Sequence, residues 1–158
     1  MASDIFAKIG DIKGGSLDDK HKDEIEIMSW SWGLTNSGSI TGGGGEARKA
    51  SFHDFSFVHN IDKASPVLMQ ACATGAHLKD ATVSVRKAGQ PRHEYMIVKM
   101  NDVIITGVTH GESGDSGHKE TVSLVFAKVE LEYKPQRVDG SLDAGVHFKY
   151  DIKGNKQG

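Results

Sequence analysis

Gly114-Asp115-Ser116-Gly117 is the tetrapeptide that surrounds the nucleophile of trypsin-like serine proteases, where a serine attacks a carbonyl beside an oxyanion hole. The neighbouring residues argue against that chemistry. His118 and Lys119 follow where that family has Gly and Pro, an Ala-Ala-His-Cys element is missing, and 158 residues cannot supply two barrels. Eight histidines raise metal binding as a second chemistry, since His110, Glu112, Asp115 and His118 could surround Zn²⁺ from one loop. Their spacing matches no known ligand pattern. His53 and His59 share one face of a strand, but Phe55 and Phe57 lie between them and no third ligand is evident. Gly42-Gly43-Gly44-Gly45 lacks both the Gly-Lys-Ser/Thr ending of a P-loop and the glycine spacing of a dinucleotide turn. Cys72 has no His or Asn at a motif spacing and reads as a small buried hydrophobe. No catalytic constellation survives, so the chain is expected to be no enzyme and to need no metal or cofactor.

The bulk properties restrict partners as well. Nineteen basic against 21 acidic residues give a net charge of -2 with no long run of either sign, which offers no electrostatic footprint for nucleic acid or an anionic membrane. One cysteine cannot make an intramolecular disulfide, so folding in the reducing cytoplasm is expected. Asp4 and Lys8 interrupt the apolar residues of the N-terminus, so it lacks the core of a signal peptide. No stretch reaches the roughly 20 apolar residues of a membrane helix. If the protein leaves the cell, it leaves folded and by another route.

Strand-like segments punctuated by Gly, Asp and Asn fall at about 4–10, 23–35, 50–58, 80–87, 93–100, 102–109, 119–133 and 145–152. One helix is predicted: Asp62 or Ser65 caps it, Pro66 suits its first turn, Val67, Leu68, Ala71 and Cys72 form its apolar stripe, and Gly75 stops it. The expected fold is one mainly β domain over 1–158, a closed or nearly closed antiparallel barrel or sandwich of about eight strands with the helix on its side. Two strands carry apolar residues on both faces. Ile25 and Ile27 oppose Met28, Trp30, Trp32 and Leu34, while Val122, Leu124 and Phe126 oppose Val125, Ala127, Val129, Leu131 and Tyr133. A packed helix, a bulge that re-aims the strand, or another subunit would each cover the second face. The glycine-rich loop 36–50 packs no core; it is ordered by something that docks on it, or is simply a tolerated flexible insertion.

Several ordered segments together resemble the haemolysin-coregulated protein family: Ile12 to Ser16, His21 to Gly33, Asn60 to Pro66, Arg86 to Gly89, Val122 to Val129, Tyr133 to Gln136 and Tyr150 to Lys153. The resemblance runs the length of the chain. It implies the tube subunit of the bacterial type VI secretion system, a homohexameric ring that stacks into a hollow tube and carries and protects small secreted effectors in its lumen. Sheath, spike and baseplate proteins are the other implied partners, and the protein is implied to be cytoplasmic until it is exported on firing. The family's extended loop, which contacts the adjacent ring or the sheath, matches Thr41, Gly42, Gly43, Gly44, Gly45, Glu46, Ala47, Arg48 and Lys49. Ile25, Ile27, Val125, Val129 and Leu131 become subunit-interface candidates, and Ser113 the lumen candidate. No fused effector domain is expected beyond Lys153. Gly15 departs from the family pattern, where Glu is frequent, as does Gln90-Pro91-Arg92, where the hairpin is often glycine-rich. A soluble carbohydrate- or protein-binding sandwich, with Trp30 or Trp32 open to solvent, is the alternative from another class.

Overall fold

A computed structural model of the chain describes residues 3–38, 50–88, 93–112 and 117–158. In chain order its elements are β1 (Ser3–Ile9), β2 (Ile25–Ile27), β3 (Ser29–Ser31), β4 (Leu34–Asn36), β5 (Ala50–Phe52) and β6 (Phe55–Asn60), then α1 (Ser65–Thr74), then β7 (His77–Lys87), β8 (Glu94–Glu112), β9 (His118–Tyr133), β10 (Val146–Asp151) and β11 (Lys156–Gln157). The main sheet is antiparallel in the order β11-β10-β9-β8-β7-β1-β2, with β6 added to β9 and β3 added to β6. β4 and β5 form a separate two-stranded ladder at the base of the glycine-rich loop.

The sheet curls until its ends meet through the chain itself. β2 pairs with β1, and only Met28 separates it from β3, which pairs with β6. The Met28 N–H donates to the Val58 carbonyl at 2.8 Å and ties the corner down. The expected barrel is thus nearly closed, by a continuous strand segment that changes partner and not by a last ladder.

That corner settles the first doubly apolar segment. Ile25 and Ile27 are buried, Met28 and Ser29 both face outward, and Trp30 then stacks on Phe55 with ring centroids 5.5 Å apart. Trp32 meets the edge of Phe126 at 6.0 Å. Two consecutive outward residues reset the two-residue period, so Trp30 and Trp32 reach the same core as Ile25 and Ile27, while Met28 and Leu34 stay 50% and 44% exposed. The segment expected as one strand over 23–35 is three short strands, and of the three ways to cover its second face, re-aiming is the one realised.

β8 and β9 repeat the device together. Val98 and Met100 face inward on β8, and so do Val103 and Ile105, with Asn101 and Asp102 both outward between them. Asp102 adopts a left-handed backbone with φ 54°, which Asp tolerates better than most residues. On β9, Val122, Leu124 and Phe126 face inward and so does Val129, with Ala127 and Lys128 outward. The register stays in step across the switch, Met100 opposite Val129 and Val103 opposite Phe126. The strands expected over 93–100 and 102–109 are therefore one 19-residue strand, kinked where a break was read.

Three interface candidates are corrected by this. Ile25, Ile27 and Val129 are 0%, 5% and 3% exposed in the single subunit, so a neighbour cannot reach them. Leu131 is half-buried against the same core. Val125 is half-buried on the opposite face of β9 and remains available.

α1 packs on β8 through Ala64, Leu68 and Ala71. Pro66 sits in its first turn as expected, but Ala64 is the N-cap and makes no side-chain cap bond. Asp62 works one turn earlier: its Oδ1 accepts the Ala64 N–H at 2.8 Å, and Ser65 Oγ accepts the Asp62 N–H at 3.1 Å. Gly75, at φ 66°, ends the helix in the left-handed conformation. Val67 is 48% exposed and not part of the buried stripe. Val129→Asp, which places a carboxylate in the core, is expected to cost about 4 kcal/mol or more in urea unfolding. Val67→Asp should stay within about 0.5 kcal/mol; equal effects would show that the face switch is misassigned.

Candidate assembly surfaces

Glu120 lies wholly buried on β9 between two imidazoles. His59 Nε2 of β6 stands 2.7 Å from Oε1, and His110 Nε2 of β8 stands 2.6 Å from Oε2. With Glu120 ionised the carboxylate only accepts hydrogen bonds, and each ring then presents its Nε2–H. His59 is itself fully buried, and its Nδ1 has no hydrogen-bond partner, with Asp62 Oδ2 3.8 Å away. The three residues pin three adjacent strands near the turn end of the β8–β9 hairpin, whose last described rung pairs Glu112 with His118. The chemistry is that of a structural clamp. His110 spends its ring on Glu120, His53 is exposed, and among the described residues no group of three His, Cys, Asp or Glu side chains is placed to hold a metal ion.

A second polar cluster fastens the segment 10–24 over β1 and β7. Phe6 is stacked on His21 at 4.4 Å, and the Arg86 guanidinium lies 4.9 Å from the Phe6 ring centre. His21 reaches Glu24 at 3.0 Å and Glu94 at 2.5 Å. Arg86, 3% exposed, makes a bidentate pair with Asp18 and contacts Asp4 at 3.3 Å. Gly14 completes the fastening, because a Cβ there would lie 2.6 Å from the Glu24 carbonyl oxygen.

Two surface features remain after these clamps. The outer edge of β9 is shared: β6 pairs with it as far as Leu124, and β10 takes over at Lys128. Between the two, Val125 and Ala127, with Ile104 opposite Val125, floor a groove of about 510 Å³. Ile152 and Lys153 close one side through backbone bonds of 2.8 and 3.3 Å to the Ala127 carbonyl, and Asp102 and His77 stand at the rim. The second feature is the turn between β9 and β10. Tyr133 and Val146, a cross-strand pair at its base, are 45% and 66% exposed, and Val138 at its tip is fully exposed.

Of the predicted site residues, Thr41 to Lys49 and Ser113 lie outside the described residues. The groove is a feature that sequence reasoning missed: Ile104, Val125 and Lys153 come from three separate elements. Its one signal was the outward apolar position of Val125.

Fold and surfaces define a nearly closed antiparallel β module whose described residues include a preformed groove on β8 and β9 and an exposed turn between β9 and β10. The family model of the type VI secretion system effector Hcp matches residues 6–133. Protein hcp1 of Pseudomonas aeruginosa is 44% identical over 161 residues, covering 99% of each chain. Hcp1 of Salmonella typhimurium superposes with a TM-score of 0.83 at 39% identity, over 99% of both chains. A type VI secretion system effector of Yersinia pestis gives 0.78 at 36% identity, over 94% of this chain and all of that one. The chain therefore belongs to the Hcp family of the type VI secretion system. That family is a structural and secreted component of the system, not a family of enzymes. Among the described residues no helix is long and apolar enough to cross a membrane.

The Arg86 pair makes a pH dependence. Its hydrogen bonds lower the Asp18 carboxyl from 3.8 to about 2, against the opposing effect of burial. A depressed folded pKa contributes stability that is present above the unfolded value and lost as pH falls through the folded one. Asp18→Asn should therefore be less stable than the parent at pH 6, and the gap should close between about pH 4 and pH 2. Urea midpoints across that range check it; a gap independent of pH would remove the ion pair as its cause.

Proposed function

We propose that the chain is the tube subunit of a type VI secretion system: it forms hexameric rings that stack into a hollow conduit, shelters small effectors in the lumen, and is itself exported on firing. Membership of the Hcp family over the whole chain is the observation that carries this reading. The surfaces support it. A groove and a protrusion at different places on one subunit suit a head-to-tail contact, which a rotation closes into a ring. In this reading Thr41 to Lys49, carried on the β4–β5 ladder, meets the next ring or the sheath, using Glu46, Arg48 and Lys49 for a polar and reversible contact. Ser113, in the segment that links β8 to β9 in the sequence, is assigned to face cargo. Spike and baseplate proteins are the further partners, and synthesis in the cytoplasm precedes export.

Sedimentation velocity with negative-stain imaging tests the assembly. Six copies of a 17.0 kDa chain make 102 kDa, and a hollow ring of that mass is the expected result. A stable monomer at micromolar concentration would overturn it and favour a binding module. In the same preparation, Ser113→Trp should leave the ring mass unchanged while lowering the yield of co-expressed effectors; unchanged yield would take Ser113 out of the lumen assignment.

A further inference from the structure

The turn between β9 and β10 is built like a fixed probe. The Arg137 N–H donates to the Ser141 carbonyl at 2.7 Å, the Gly140 N–H to the Arg137 carbonyl at 3.0 Å, and the Asp143 N–H to the Pro135 carbonyl at 2.7 Å. Arg137 Nη2 donates to Asp143 Oδ1 at 3.1 Å, while Asp139 Oδ1 accepts both the N–H and the hydroxyl of Ser141, at 2.9 and 2.6 Å. Seven consecutive polar or turn-forming positions would satisfy such a turn, yet its tip is Val138, with an exposure of 109%. An apolar side chain held rigidly in water gains nothing for the subunit that displays it. Binding it costs little ordering entropy, because the turn is already ordered.

The groove on β8 and β9 is its complement in shape and in charge. Its floor is Ile104, Val125 and Ala127, all half-buried. Asp102 lies on the β8 side of Ala127 and Lys153 on the side of β10. Arg137, which shares its guanidinium with Asp143, and Asp139 flank the apolar tip of the probe, and Asp102 and Lys153 flank the apolar floor of the groove, with His77 also at its rim. Val138 cannot reach the groove of its own subunit. Eight residues of β9 separate Val125 from Tyr133, about 25 Å of strand.

We propose that Val138 of one copy of this chain seats on the Ile104–Val125–Ala127 floor of the next copy, with Arg137 against Asp102 and Asp139 against Lys153. The proposal rests on the ring reading above and supplies one of its two complementary faces. Both partners of the contact are identified on one subunit, so the interface is head-to-tail and repeats around the assembly.

Val138→Asp, measured by sedimentation velocity beside the parent, is expected to shift the mass from 102 kDa to 17.0 kDa with an unchanged far-UV circular dichroism spectrum, since Val138 supports nothing within its own subunit. Asp139→Lys should weaken assembly at low salt, and adding Lys153→Asp in the same chain should restore it. Val138→Cys with Val125→Cys, in a Cys72→Ala background, should give an oxidised ladder on a denaturing gel that ends at six copies. A parent that is itself monomeric overturns the ring reading, and the proposal with it. A parent ring with a Val138→Asp ring of equal mass and no ladder overturns the proposal alone, and assigns the groove to something other than a sister subunit.

Discussion

A 16-residue strand in β geometry is about 50 Å long, and the two-residue period obliges it to keep one face inward along that whole length. A single core of this domain does not extend that far. The simultaneous change of face at Asp102 on β8 and at Ala127–Lys128 on β9 resolves the conflict, because two outward residues in each strand turn the hairpin while its register stays intact. The consequences spread through the structure. Val129 and Leu131 thereby join Val122, Leu124 and Phe126 in one core, while Val125 and Ala127 stay on the outer face. The outer edge of β9 is divided between β6 and β10 at the bend, which leaves the groove at Val125 and Ala127. Beyond it, the far half of β9 pairs with β8 and β10, and the exposed 134–143 turn follows its end. Groove and protrusion thus come from one kink.

A bent hairpin needs its register fixed on both sides, since a slip of one residue would send the apolar set outward. The Glu120 clamp answers that need. It ties β9 to β6 through His59 and to β8 through His110, and neither bond survives a slip of either strand. Burying a carboxylate this fully carries a desolvation cost, so its return is specificity more than stability. The Phe6 cluster does the same for the long connection between β1 and β2. That connection closes on itself through backbone bonds between Gly14 and Asp23 and between Ser16 and both Asp23 and Glu24, and the Arg86–Asp18 pair, the His21–Phe6 stack and the close approach at Gly14 fasten it to the sheet.

The strand and helix positions were legible because they depend on local signals: alternation, Gly and Asp punctuation, Pro66 and Gly75. The face changes were not. A left-handed Asp102 looks in sequence like any other turn residue, and it was read as the end of one strand and the start of another. Alternation over 122–131 leaves the meaning of its second stripe open, because two stripes on a straight strand and one stripe on a kinked strand have the same pattern. The groove was illegible for a different reason. Its lining joins residues from β8, β9 and the segment after β10, and periodicity within a segment carries no information about pairs across segments. Val138 did leave a trace, a lone valine between Arg137 and Asp139-Gly140, which hydrophobic counting discards as noise.

Rigidity decides what a head-to-tail contact builds. Such a contact closes into a ring only when the rotation from one copy to the next divides the circle, and otherwise grows as a helix. A mobile turn presenting Val138 could bury the same apolar area at many angles and would select no ring size. The backbone bonds of 2.7 to 3.0 Å across the turn and the Arg137–Asp143 tie leave the tip one orientation relative to β9. The kink at Asp102 fixes the orientation of the groove relative to the same strand. In the proposed assembly the angle between donor and acceptor faces would be set along β9 itself, and ring closure would then be a property of each subunit's backbone and not of the strength of the contact between subunits.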